Sequence, residues 1–258
     1  MAKKVYTKGR IGEINYNNFG SKMKIVEYAY CDDIYVEFQD EYKTKVHTKY
    51  CHFKKGNVGN PYDKTAYDVG YLGIGKYSSK EHKNAYETWI KMLRRCYDPY
   101  CINKQLTYKD CFVCEEWHNF QNFAKWYYEN YYEIEGQRME LDKDILFKGN
   151  KIYSPQTCIF APQRINLLFT KSNKTRGECL IGMCWHKRDK IFEVHCNIYD
   201  ENVSKKIYLG RFDKPFQAFT TYKNFKENYI KQVADEYKDL IPQKLYEAMY
   251  NYEVEIND

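Results

Sequence analysis

The chain has 258 residues, of which 43% are hydrophobic and 29% charged, which suffices for one large or two to three small cores and excludes global disorder. Lys and Arg (41) exceed Asp and Glu (35) by six, a mild basic bias that suits an anionic partner without specifying one. No apolar run approaches the roughly 18 residues that cross a bilayer, so no membrane partner is expected. No signal-peptide pattern follows Met1-Ala2-Lys3-Lys4, so the ten cysteines are expected as reduced thiols in a cytoplasm, that of the host cell if the protein is viral. With 28 Tyr, 14 Phe and 4 Trp, much of the core and many contact surfaces must be aromatic.

In chain order, residues 20–55 alternate as short strands, as in Met23-Lys24-Ile25-Val26-Glu27-Tyr28 and Ile34-Tyr35-Val36-Glu37-Phe38, with Asp32-Asp33 as turn material. This predicts a small antiparallel sheet. Its Tyr28, Tyr30, Tyr35, Phe38 and Tyr42 suit packing better than base stacking. Gly56, Gly59, Gly70, Gly73 and Gly75 with Pro61 mark 56–75 as a linker, with a domain boundary near residue 70. Ser78 with Glu81 forms a capping-box signal before Tyr86, Trp89, Ile90, Leu93 and Tyr97 at helical spacing. A second helix carries Trp117, Phe120, Phe123, Ala124 and Tyr127 on one face. Both stripes read as core scaffold.

Residues 141–162 read as a strand, a Gly149-Asn150 turn, a returning strand and a helix opened by Pro162, in the order ββα. The polar stretch 171–177 reads as a link to three further strands at 180–186, 191–198 and 206–212. Asp213 and Pro215 sit where a cap and first turn belong, and Phe219, Tyr222, Tyr229, Val233 and Tyr237 continue at helical spacing. A closing helix over 245–252 packs an aromatic face. The expected class is α+β in three domains: an N-terminal β module (1–70), a central ββα domain with flanking helices (71–172), and a three-stranded sheet plus helix (173–258).

The central stretch Leu141-Asp142-Lys143-Asp144 with Tyr153-x-Pro155-x-x-Cys158, preceded by Trp89-x-x-Met92-Leu93-x-Arg95-Cys96-Tyr97, Tyr108-Lys109-Asp110-Cys111 and Trp117-x-x-Phe120-x-x-Phe123, resembles the phage and bacterial branch of the HNH endonucleases. The resemblance covers about 71–172, with its centre at 140–169. It implies phosphodiester cleavage with Mg²⁺ or Mn²⁺, in which a strand histidine activates water and the cation stabilises charge on the phosphate. On that pattern Asp142 takes the metal-ligand position, Lys143 the position of the catalytic histidine, Thr157 that of a frequent asparagine, and Asn166 lies on the helix supplying a further polar group. Asp144, two residues from Asp142 along a strand, would share its face and the metal. A lysine with an ordinary pKa near 10.4 is a poor base, but Lys143 would neutralise a phosphate. The bland alternative is a solvated charge run at a strand edge.

Cys111-Phe112-Val113-Cys114 has zinc-knuckle spacing, and with Cys96 and Cys158 it makes a candidate structural Zn²⁺ set. Small buried thiols are the competing reading.

The run Ile181-Gly182-Met183-Cys184-Trp185-His186-Lys187-Arg188, then Tyr208-Leu209-Gly210-Arg211-Phe212 and Phe216-x-Ala218-Phe219-x-x-Tyr222, resembles the ethylene-response-factor type of DNA-binding domain over about 177–240. That family lays its sheet in the major groove with the helix behind. The resemblance implies that Trp185, Lys187, Arg188, Lys205, Lys206 and Arg211 meet phosphates and base edges of duplex DNA. Phe192 stands at the family's usual tryptophan, and the outward face of the second strand includes Glu193 and His195 where arginines would read DNA better. Two functions follow from the two resemblances. One is a Mg²⁺-dependent DNA endonuclease. The other is a non-catalytic relative binding DNA or a nucleoprotein, for example a viral inhibitor of a host nuclease or defence complex.

Overall fold

The protein was analysed as a computed structural model, which describes residues 9–170, 179–200, 203–256 and 258. Its fold is mixed α+β, with an N-terminal strand sheet and a C-terminal three-stranded sheet plus helix. The chain forms two compact units, Met1–Glu129 and Asn130–Asp258. No helix among the described residues is long and apolar enough to cross a membrane. The expected link at 171–177 lies outside the described residues.

In the first unit, β1 (Ile14–Tyr16), β2 (Lys22–Tyr30), β3 (Asp33–Phe38) and β4 (Lys45–Thr48) form an antiparallel sheet in chain order. Alternation places Met23, Ile25, Ile34, Val36 and Phe38 on one buried face. Phe53 of α1 (Tyr50–Lys54) and Val58 complete that core. Phe38 is therefore core, whereas Tyr30, Tyr35 and Tyr42 are exposed, and Tyr42 stacks on Tyr62 at 3.6 Å.

Residues 56–75, expected as a linker, are instead packed coil. The Asp63 carboxylate is buried and its Oδ2 accepts from Asn17 Nδ2 at 2.6 Å and Asn60 N at 3.2 Å. Gly70 lies against Trp89 and Leu93 where a side chain would not fit, and Tyr71 N donates to His118 O at 2.9 Å. Glycines here permit close approach of backbone to side chains rather than flexibility.

The helix expected to open at Ser78 begins later, as α2 (Lys83–Tyr97). Ser78 closes a separate turn: its hydroxyl accepts from Lys80 N, and its N–H donates to His82 Nδ1 at 3.1 Å. Ala85, Trp89, Met92, Leu93 and Cys96 form the buried face of α2, which continues into α3 (Pro99–Lys104) after Asp98 caps Tyr100 N. A short strand, β5 (Phe112–Val113), and a 3-10 turn (Glu115–His118) precede α4 (Phe120–Asn130). Trp117, Phe120, Phe123, Ala124 and Tyr127 are all buried as expected. They do not share one helix, however, because Asn119 Oδ1 accepts from Gln121 N at 2.9 Å and starts α4 afresh.

In the second unit, β6 (Met139–Asp142) pairs antiparallel with β8 (Ile159–Pro162), with Met139 opposite Pro162 and Asp142 opposite Ile159. The order ββα holds, with Pro162 capping α5 (Gln163–Leu168). The returning strand is not the segment directly after Gly149-Asn150, which holds only β7 (Ile152–Tyr153); β6 and β8 are joined by a folded loop. Then β9 (Met183–His186), β10 (Ile191–Asp200) and β11 (Val203–Phe212) form an antiparallel sheet in the order β11-β10-β9, followed by α6 (Pro215–Glu236) and α7 (Gln243–Tyr250). Pro215 occupies the first turn of α6, with Lys214 rather than Asp213 as the cap.

The segments expected as parts of two domains share one core here. Ile145, Ile159, Ala161, Ile165 and Leu168 of the ββα segment pack with Ile230, Val233 and Ala234 of α6 and Leu245 and Met249 of α7. Two short strands and a six-residue helix cannot bury an apolar face alone, and the carboxy-terminal helices provide that cover. The buried side of α7 is thus Leu245 and Met249, with Tyr246 only partly buried.

Candidate functional site

The ββα segment gathers Asp142, Lys143 and Asp144 but engages each of them structurally. Asp142 Oδ1 accepts from the backbone N–H groups of Asp144 at 2.7 Å and Ile145 at 2.8 Å, an Asx-type turn that ends β6. Asp144 consequently lies past the strand, so the two carboxylates are neighbours through the turn and not through a shared strand face. Burial, with the Asp144 charge beside it, pushes the Asp142 carboxyl up to about 7. The Lys143 side chain is buried, and its ammonium donates to Asp144 Oδ2 at 3.2 Å and Asn150 O at 3.1 Å. Asn150 returns a bond from Nδ2 to Lys143 O at 2.7 Å. Thr157 Oγ1 donates to Ile152 O at 2.7 Å. Asn166 Nδ2 donates to Glu140 Oε2 at 2.7 Å.

These residues do not fit the cation that the HNH resemblance implies. One oxygen of Asp142 is committed to two amides, the Lys143 ammonium competes for Asp144, and Asn166 is directed to Glu140. No set of three His, Cys, Asp or Glu ligand atoms converges there among the described residues. The four cysteines of the expected zinc set are divided between the two units. Cys96 and Cys111 are buried in the first unit with Cys114 half-buried, Cys158 is buried in the second, and among the described residues the three-ligand group found lies elsewhere.

A denser constellation lies on the sheet of the second unit. Val194 and Cys196 of β10 are buried against α6, so Glu193 and His195 point to the opposite side, as alternation requires. The register sets Cys184 across from Glu193, Glu193 across from Arg211, His195 across from Tyr208, and Asn197 across from Lys206. A bulge separates Val194 from His195, and there His195 N donates to Gly182 O at 2.8 Å. Arg211 directs Nε (2.9 Å) and Nη2 (2.6 Å) at the single oxygen Glu193 Oε1. Glu193 Oε2 faces His195 Nε2 at 3.8 Å. Beside them, Asp189 meets Arg188 at 2.9 Å, His186 at 3.4 Å and Arg211 at 3.5 Å.

The electrostatics follow from these contacts. The Arg211 bonds hold Glu193 below the ordinary carboxylate range, and Arg188 does the same for Asp189. Partial burial, aided by the Lys206 charge, lowers the His195 pKa and favours the neutral imidazole.

Of the residues expected to meet DNA, Arg211 and Lys206 lie on this outward side, and Lys187 and Arg188 lie in the turn between β9 and β10. Trp185 does not join them: it stands opposite Phe192 with ring centroids 4.7 Å apart, on the helix side of the sheet at its margin. Lys205 stands opposite Ile198, also off the outward side. Cys184 was absent from the expected site residues. The signal that would have found it is the pair of period-2 runs Cys184-x-His186 and Glu193-x-His195, which converge only once the strand register is known.

Comparison of the chain with protein-family models, with curated proteins and with solved structures finds no match.

Proposed function

We propose that this chain is a duplex-DNA-binding protein in which the outward side of the β9–β11 sheet makes the contact and the HNH-like segment serves as structural support. The observation that carries this reading is the two-sided sheet. One side is occupied by the apolar core against α6, while the other presents Lys206, Arg211, His195 and an exposed Tyr208, with Lys187 and Arg188 in the adjoining turn. Cationic and aromatic groups on one sheet side suit phosphates and base edges. Glu193, which would repel a phosphate, is already neutralised by Arg211. The engaged state of Asp142, Lys143 and Asn166 supports binding over cutting.

Fluorescence anisotropy on a labelled duplex across a salt series tests the reading. Lys206→Ala and Arg188→Ala are each expected to weaken binding and to reduce the slope of log affinity against log salt by about one. Arg211→Ala should have the smaller effect, because its guanidinium makes two bonds to Glu193 and also faces Asp189, whereas the more exposed Arg188 meets Asp189 through Nε alone. Unchanged slopes in Lys206→Ala and Arg188→Ala would remove the sheet from the DNA contact. Nicking of supercoiled plasmid with Mg²⁺ or Mn²⁺ that disappears in Asp142→Ala would overturn the non-catalytic part and restore the endonuclease.

A further inference from the structure

We propose that Cys184, Glu193 and His195 form a Zn²⁺ site on the outward side of the β9–β11 sheet, with a fourth coordination position open to water. This inference does not rest on the DNA-binding reading.

The three ligand atoms lie within 4.8 Å of one another, and they are the one such group among the described residues. Bond lengths of about 2.3 Å to sulfur and 2.0–2.2 Å to nitrogen or oxygen place tetrahedral ligands roughly 3.3–3.7 Å apart. The Glu193 Oε2 to His195 Nε2 separation of 3.8 Å is already close to that. Cys184 is exposed, so its side chain has room to turn toward the other two ligands.

Local structure prepares each ligand. Cys184 and Glu193 are directly opposed across β9 and β10, the closest side-chain relation two antiparallel strands offer. His195 comes to the same side two residues on, with its backbone held by Gly182 O. Both Arg211 bonds fall on Glu193 Oε1, so Oε2 remains directed at His195 while the carboxylate is kept ionised. The guanidinium thus orients the ligand from outside the site, as partners behind metal ligands commonly do.

Ligand chemistry selects the ion. One thiolate, one imidazole and one carboxylate form a mixed S/N/O set that suits Zn²⁺ and gives hard Mg²⁺ or Ca²⁺ little to bind. Three protein ligands rather than four leave the open position found in non-structural zinc sites. On binding, the Cys184 thiol transfers its proton to solvent and the thiolate bonds to the metal. The outward side therefore gains one net positive charge, two from Zn²⁺ less the proton released.

Titration of the chelator-treated full chain with Co²⁺, a spectroscopic substitute for Zn²⁺, tests the site. We expect one equivalent to produce a thiolate-to-cobalt charge-transfer band together with the intense visible absorption of four-coordinate cobalt, both removed by added Zn²⁺. Cys184→Ser should abolish the charge-transfer band. His195→Ala should lower affinity by at least the roughly 10- to 100-fold that loss of an outer partner alone costs. Cys51→Ser, which alters an exposed thiol of the other unit, should change nothing. Because Cys184 is exposed, its serine variant should retain the native circular dichroism, which serves as the folding control. Absence of any band, or a band that persists in Cys184→Ser, overturns the proposal.

Discussion

Gly182→Ala is expected to lower the stability of the second unit by about 2–4 kcal/mol, the combined cost of a left-handed non-glycine residue and an overpacked contact. Gly182 has φ +78°, and a Cβ at that position would collide with the Tyr222 ring, which belongs to the core between the sheet and α6. The ring cannot retreat cheaply, because Ala218, Phe219 and Val194 close the same core. Gly149→Ala separates the two causes. Gly149 also has positive φ, +79°, but nothing lies within 4 Å of the added methyl, so only the backbone cost of about 1–2 kcal/mol remains. Urea unfolding of both variants measures the difference, and equal losses would show that the Tyr222 contact is not close. Since Gly182 O accepts from His195 N, the same substitution should also disturb His195 and weaken cobalt uptake, whereas Gly149→Ala should not.

The second large effect is a pH dependence centred on Asp142. Its carboxyl rises from an ordinary 3.8 to about 7 in the folded chain, chiefly through burial and secondarily through the Asp144 charge. A raised acid pKa means that the folded state binds the proton more tightly than the unfolded one. The associated stability is fully present below pH ~4, falls as the pH climbs, and is lost above ~7. Three pH units at about 1.4 kcal/mol each set an upper bound of roughly 4 kcal/mol. Asp142→Asn keeps an oxygen acceptor for the Asp144 and Ile145 amides but has no proton to lose. Unfolding curves between pH 4 and 8 should therefore show the native chain losing about 2–4 kcal/mol relative to Asp142→Asn. Asp142→Ala should be less stable than both at pH 4, because two backbone donors are left without their acceptor. Parallel pH profiles for the native chain and Asp142→Asn would mean that the carboxyl is not buried as described.

These two sites also mark where residue patterns suffice and where they stop. Strand alternation in Met23-Lys24-Ile25 and in Phe192-Glu193-Val194-His195 assigns inward and outward faces correctly, because the side-chain period of a strand is two whatever surrounds it. Pro215 and the Phe219, Tyr222, Tyr229 and Val233 spacing likewise place α6, and the strand-turn-helix order around Pro162 is legible for the same local reason. Local rules fail where a polar side chain has two possible partners. Ser78 resembles a helix cap but closes a turn with His82, and Asp142, expected on a metal, accepts from the amides of Asp144 and Ile145.

By itself, then, the sequence determined the α+β class, the positions of the β9–β11 strands and α6, and the outward direction of Glu193 and His195. Each follows from backbone periodicity and turn chemistry within a few residues. Only the tertiary structure decided that the ββα segment shares its core with α6 and α7, since an apolar face carries no label naming its cover. It also decided that Cys184 meets Glu193 and His195, because two separate strands acquire a common site only through their register, which hydrogen bonding, including that of His195 N to Gly182 O, and the bulge between Val194 and His195 set in three dimensions.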